Sequence, residues 1–544
     1  MRSPLSRLVR ALVAVVAVGG IQGCKRGTRA DLGTREGILS YANNAEPSDL
    51  DPNTNIDGST DTILNALYEG LVRLSNDGHT VLPGVARSWE VSPDGKTYTF
   101  HLRPDALWSN GAPVTSDDFL FSFRRVLDPM LACEKSSFGF AIRGAEDYAK
   151  GRARDAASLG LEAPDPSTFV IRLGHPAPYL LSLLGIGSPF MPVYRPLLEK
   201  FGGVHQRGTP WTREANIVSN GPFVLARWTP NRVIEVRKNP RYWDRDRVRL
   251  SGVDIYPTDD ASAQERGFRA GEFHMTTRIP IFKAAAYESE QPGVLHRDPI
   301  LGTHFVTFNL SRAPFVDARV RRALSMAIDR RKLSSAVYGS FAEPAFAQVR
   351  PGTGGYAPPS AAGYRFDPDG ARRLLGEAGH PGGAGLPPIE LMLVGNDPQT
   401  VNIGEVVQAA WRDVLGVTAQ LYPTEEKVYL DAERSKNYHA MIEEWDSPWD
   451  DPSAFYQIGA TGNPNNDAGW SDPEFDRAYK EADDSVDPEV RRRAFDVQEA
   501  RLAESMPYAP LYYWNKPMLV LPSVRGWVPN AFGHVEWKEI SLER

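Results

Sequence analysis

Cysteine is nearly absent: 544 residues contain two, Cys24 and Cys133. So few cannot build a disulfide framework, so the core must hold by burial alone. The 10 histidines show no H-x-H, H-x-x-H or H-E-x-x-H spacing, and no metal site or cofactor is expected from them. No G-x-S-x-G elbow occurs and Cys133 stands in no active-site frame, so catalysis has no positive signal and no catalytic residue is assigned. A basic excess is missing too. The net charge is -7, and residues 1–23 carry three arginines and no acid, which leaves the remainder still more acidic. That balance argues against a nucleic-acid partner, which needs a clustered basic face. The basic runs at Arg241–Arg249 and Arg319–Lys332 are interspersed with apolar residues and read as solvated faces.

Long apolar runs are lacking except at the start. Arg2, Arg7 and Arg10 precede an apolar stretch, Ala11–Val18, that is too short for a permanent span and suits a signal peptide. Ile21-Gln22-Gly23-Cys24 resembles the bacterial lipobox, with a less usual Gln at its second position. Lipidation of Cys24 is expected after removal of residues 1–23; the alternative is an ordinary cleavage site with an incidental cysteine. Residues 24–37 are polar and read as a flexible tether. Cys133 then has no partner and reads as a small buried apolar residue.

What is abundant is ordinary globular texture: 42% hydrophobic and 24% charged residues, with 12 Trp, 20 Tyr and 23 Phe. Ile63, Leu64, Leu67, Tyr68 and Leu71 recur at helical spacing, which predicts a helix over Asp61–Leu74. Ser92-Pro93-Asp94-Gly95 is turn chemistry between β-forming runs, so Trp89–Leu102 reads as a hairpin. Gly95-Lys96-Thr97 imitates the end of a phosphate loop, but Glu90 stands where that loop needs glycine. Thr115-Ser116-Asp117-Asp118 caps a predicted helix through Val126. Later segments alternate: a strand at His304–Asn309, helices at Val316–Ile328, Pro368–Ala378 and Val401–Leu415, strands at Ile389–Val394, Val417–Tyr422 and Pro507–Leu521. Such alternation predicts an α/β lobe with a mixed sheet.

Several blocks carry a family resemblance: Glu46–Pro52, Leu67-Tyr68-Glu69-Gly70-Leu71, Trp108–Phe119, Asn216–Phe223, Tyr242-Trp243-Asp244 and Phe315–Leu324. In this order, from about Ile38 to Trp537, they make the chain resemble the extracytoplasmic oligopeptide- and dipeptide-binding proteins of ABC importers. The resemblance implies a fold of class α/β: a two-lobed periplasmic-binding-protein fold with two crossing hinge segments and a smaller extra domain inserted in the first lobe. Residues 38–56, 165–300 and 511–544 would form lobe I, 57–164 the inserted domain and 301–510 lobe II. His304–Asn309 and Ala509–Trp514 would be the crossings, with His304 and Phe305 at the cleft.

Most blocks read as structural; Trp108, Gly111, Pro113 and Asn220-Gly221-Pro222 are turn and packing residues by type. Glu46 has two readings, a ligand-site acid or a solvated loop acid. The sharpest candidate is Trp445-Asp446-Ser447-Pro448-Trp449-Asp450-Asp451-Pro452. It is similar to a family segment, Trp-x-x-Asp-Tyr-x-x-Pro, whose Asp pairs with the α-amino group of the peptide. Here that position is Pro448, whose side chain accepts no hydrogen bond. Either Asp446 or Asp450 takes over the ammonium, or the ligand lacks a free amino terminus or is not a peptide. Trp445 and Trp449 offer aromatic surface, or Trp445 simply packs beneath the cleft. Glu443/Glu444 and Asp450/Asp451 are sequence neighbours, which a strand turns to opposite faces.

The expectation is therefore an extracytoplasmic, lipid-anchored monomer that captures oligopeptides by lobe closure and delivers them to an ABC permease. The same fold binding a non-peptide or blocked ligand, and a secreted hydrolase, stay open.

Overall fold

The structure, a computed structural model, describes residues 27–395 and 398–543. Cys24 and the signal-peptide segment lie outside the described residues. A five-stranded sheet takes the order Met275–Thr276, Ile38–Asn43, Gly252–Pro257, Val233–Lys238, Phe223–Thr229. A second sheet runs Leu295–Pro299, Tyr508–Leu519, Gly302–Phe308, Ala440–Asp446, Ile389–Val394, Ala419–Thr424, with Ala342–Pro344 pairing beside the long strand. A third, four-stranded sheet (Ala86–Val91, Thr97–Leu102, Thr168–Arg172, Leu161–Asp165) backs the helix Ser116–Leu127. The fold class expected from the resemblance is therefore present: two α/β lobes and a smaller β-rich unit.

The segment expected to be a tether is ordered from Thr28. Arg29–Glu36 is a helix, closed at its start by a Thr28/Asp31 capping box and at its end by Gly37 in the left-handed region, φ 72°. Ala30 and Gly33 are buried against the first lobe, and a Cβ on Gly33 would lie 2.3 Å from the carbonyl oxygen of Ile38. Polar composition hid a helix whose buried face is made of small residues.

The predicted helix at Asp61–Leu74 is shorter, Gly58–Leu67, because Tyr68 turns extended and Val72–Leu74 becomes a strand. The residues just after Leu67 tie three of the sequence blocks together. Glu69 is buried and accepts from Tyr242 Oη and from Trp243 Nε1 (2.6 Å), with Lys538 Nζ 3.7 Å away. The Asn220 side chain exchanges hydrogen bonds with the Glu69 backbone, 3.1 and 2.8 Å. A Cβ on Gly221 would stand 2.5 Å from the carbonyl carbon of Leu67, so only glycine fits. Glu69-Gly70, Asn220-Gly221 and Tyr242-Trp243 are thus one packing junction. The hairpin turns at Gly95, φ 67°, and Cys133 is a buried free thiol.

Domain limits differ from the expectation in two places. Residues 164 and 165 fall inside the hairpin of Leu161–Asp165 and Thr168–Arg172, so the small sheet continues to Arg172. The expected crossings also lie one step inside the second sheet, where Gly302–Phe308 pairs with both Ala440–Asp446 and Tyr508–Tyr512. Beyond them Leu295–Pro299 pairs antiparallel with Asn515–Leu519. The far end of this pair joins the first lobe, where Leu519 N donates to Thr276 Oγ1 at 3.0 Å and Met275 bridges to Val520. One twelve-residue strand therefore serves both lobes.

Candidate functional site

The site grows from two central strands of the second lobe, Gly302–Phe308 and Ala440–Asp446, whose side chains alternate across the sheet. On one face His304 stacks on Tyr512 (centroids 4.4 Å apart, 15°) and its Nε2 lies 3.4 Å from Glu444. Burial pulls the His304 pKa down and Glu444 opposes this. Both line a cavity of about 360 Å³ with Tyr338, Tyr429, Ile442 and Glu426. On the other face Phe305 is buried edge-on to Tyr508, 5.3 Å between centroids. Phe305, Trp445, Tyr508, Glu443, Glu433 and Asp467 line a second cavity of about 170 Å³. Glu443 is buried while Glu444 is exposed, as strand alternation requires.

Beyond Trp445 the chain leaves its own lobe. Trp445 remains anchored there, donating from Nε1 to Ala454 O at 2.7 Å. Asp446 sits over Gly302, where a Cβ would meet its Oδ1 at 2.0 Å. Asp446 as a whole is exposed, yet the protein packed around its carboxyl, together with Glu444, pushes its pKa up to about 7. Ser447 is occupied locally: its N–H donates to Leu301 O at 2.6 Å and its hydroxyl to Trp449 O. Trp449 packs against the first-lobe core, stacked on Tyr179 (4.6 Å, 12°) and edge-on to Phe138 (6.0 Å). Asp450 accepts from Gly354 N at 2.6 Å and meets His79 Nδ1 at 3.1 Å, while its own N–H donates to Ser182 Oγ at 3.3 Å. Asp451 fixes the end of the segment through two bonds to Arg491, 2.7 and 2.9 Å. Residues 449–450 therefore bridge the lobes from a root held on both sides in the second.

The two-lobed fold and this bridging segment set the frame for comparison with known proteins. Residues 80–467 match the model of the bacterial extracellular solute-binding proteins, family 5. The chain belongs to that family. A relative in this family, the periplasmic oligopeptide-binding protein OppA of Salmonella typhimurium, is 31% identical over 494 residues, 89% of this chain and 88% of that one. The probable deoxycholate-binding periplasmic protein YgiS of Escherichia coli is 30% identical over 93% of this chain and 94% of its own. The solved unliganded open form of the murein tripeptide-binding protein MppA superposes with a TM-score of 0.80 at 28% identity, covering 93% of this chain and 97% of that one. MppA of Escherichia coli is 30% identical over 89% of each chain.

Within this family 5 fold the sequence-predicted residues His304, Phe305, Trp445, Asp446, Ser447, Trp449 and Asp450 fall on one corner of the second lobe. Glu46 does not join them. It lies in the first lobe, its Oε1 accepting from Trp228 Nε1 at 2.7 Å and its Oε2 buried with no hydrogen-bond partner. Sequence reasoning missed Tyr512, Tyr179, His79, Glu433 and Asp467. Nothing local marks them, because each matters through partners brought together by the fold. No helix among the described residues is long and apolar enough to cross a membrane.

Proposed function

We propose that this protein is the lipid-anchored substrate-binding component of an ABC importer, capturing oligopeptides between its lobes and handing them to a membrane permease. The observation that carries the reading is the segment 445–452, which is rooted in one lobe and reaches the other through Trp449 and Asp450. Contacts available only when the lobes meet let a ligand in the cleft shift the open–closed balance. OppA, similar over nearly the whole chain, is named for oligopeptides, which supports that ligand class here. Cys24 would carry the lipid and keep the monomer at the outer face of the membrane.

Asp446 takes the role of ammonium partner that Pro448 vacates. Asp450 is already held by Gly354 and His79, whereas the Asp446 carboxyl faces outward beside Gly302. The test is native mass spectrometry of the mature protein for carried-over ligand, then calorimetry with short peptides and their N-acetylated forms. Binding lost on acetylation and in Asp446→Asn supports the reading. Binding indifferent to both transfers support to a second reading, a non-peptide or N-blocked ligand, which Pro448 and the likeness to YgiS favour. Mass spectrometry of the same sample reads a lipid on Cys24 directly.

A further inference from the structure

Three carboxylates from three separate elements converge on the 170 Å³ cavity of the second lobe. Glu443 comes from the strand Ala440–Asp446, Glu433 from the helix Glu426–Ser435 and Asp467 from the loop beyond Pro464. One oxygen of each lies within 4.8 Å of the others. Oxygens around a shared calcium-class ion sit about 2.3–2.6 Å from it, so separations up to twice that are what such an ion requires.

The independent sign of a ligand is Glu443 itself. Its side chain lines the cavity, the residue is 8% exposed, and its Oε1 is buried without any hydrogen-bond partner. Thr307 satisfies only Oε2. A carboxylate oxygen withdrawn from water needs a donor or a cation, and the group the protein sets against Glu443 is a second carboxyl, Glu433, which serves as a donor only by holding a proton. The nearby cations make their direct contacts elsewhere, although Arg434 favours the charged form of Glu433 and Lys436 that of Asp467. Lys436 Nζ donates to Asn466 O at 2.8 Å, and Arg434, exposed at the rim, pairs with Asp431 at 3.7 Å.

We propose that this cavity binds one hard divalent cation of the calcium class, with Glu433, Glu443 and Asp467 as its protein ligands and water completing the shell. The donor set is oxygen only, which selects a hard ion over zinc or copper. The cavity exceeds the volume of the bare ion and leaves room for waters of about 30 Å³ each. The ion would tie helix, loop and strand together under Trp445, the residue from which the bridging segment departs.

The test uses the full mature protein stripped with EDTA, probed with Tb³⁺ excited through the indole of Trp445 and then titrated with Ca²⁺. Expected are sensitised emission, its displacement by Ca²⁺ with one-site stoichiometry, and a rise in melting temperature with Ca²⁺. Glu443→Gln and Asp467→Asn should each weaken Ca²⁺ binding by on the order of tenfold to a hundredfold. Should Glu443→Gln fail to fold, half-buried Asp467→Asn and the wild-type titration still decide. No Ca²⁺ binding up to about 1 mM, the weak end for extracellular calcium modules, overturns the proposal. So does binding unchanged in both variants, or a cluster stabilised by acid alone and indifferent to Ca²⁺.

Discussion

Glu69 and Glu443 are both buried glutamates, one in each half of the molecule, 6% and 8% exposed. Glu69 is surrounded by donors: Tyr242, Trp243 and, at 3.7 Å, the ammonium of Lys538, itself held by Asp244 at 3.1 Å. Burial raises its pKa, and Lys538 and the two ring donors hold it back. Glu443 has one hydroxyl, one empty oxygen and two further acids as neighbours. The first arrangement closes on itself and welds together distant parts of the first lobe. The second is open toward a cavity. A carboxylate that serves packing carries its counter-charge in the chain, and one that serves a ligand leaves that place to the ligand.

The contrast breaks most visibly at Lys538. Lys538→Met strands Glu69 without its cation, and breaking a buried pair from one side typically costs about 3–5 kcal/mol. Urea unfolding at pH 7 should show that loss, and the double variant with Glu69→Gln should recover much of it. Glu443→Gln in EDTA-treated protein should cost far less, since no cation is orphaned. A loss equal to that of Lys538→Met would erase the distinction.

Glu499 sharpens it from a third side. It is fully buried and accepts from Tyr456 Oη and Gln348 N, both 2.9 Å, with no cation in contact; burial pushes its pKa up to about 7. The folded state therefore binds a proton that the unfolded chain, with a pKa near about 4.3, releases. Stability from this group is full below about pH 4 and is lost as pH rises to about 7. Glu499→Gln should leave stability at pH 4 unchanged and raise it at pH 8 by on the order of 4 kcal/mol, flattening the slope between them. An unchanged slope would mean that the buried carboxyl is ionised and compensated.

How much of this was legible in the sequence depends on the range of the interaction. The Trp108–Phe119 block could be read as turn and capped helix because its contacts are local: Gly111 at φ 93°, and Asp118 bonding Thr115 N and Trp108 Nε1. The helix Arg29–Glu36 was readable in principle from Thr28-x-x-Asp31 and Gly37, and was masked by its polarity. The opposite facing of Glu443 and Glu444 came from strand geometry alone. That Trp449 belongs to the first-lobe core, and that Glu433, Glu443 and Asp467 share a cavity, did not. Those facts depend on how helices, loops and a second lobe are brought together, and no local spacing encodes that.

The smallest effect should come from His79, and its size tests whether Asp450 belongs with Glu69 or apart from it. Asp450 has a carboxylate only 9% exposed, but its partner His79 is 56% exposed, and Gly354 N holds the other oxygen independently. His79→Ala therefore orphans nothing, and an exposed ion pair contributes about 0.2–1 kcal/mol. The interlobe contact should weaken by less than about fivefold, read as ligand affinity. A tenfold or greater loss would make His79 part of the ligand site instead of a brace on Asp450.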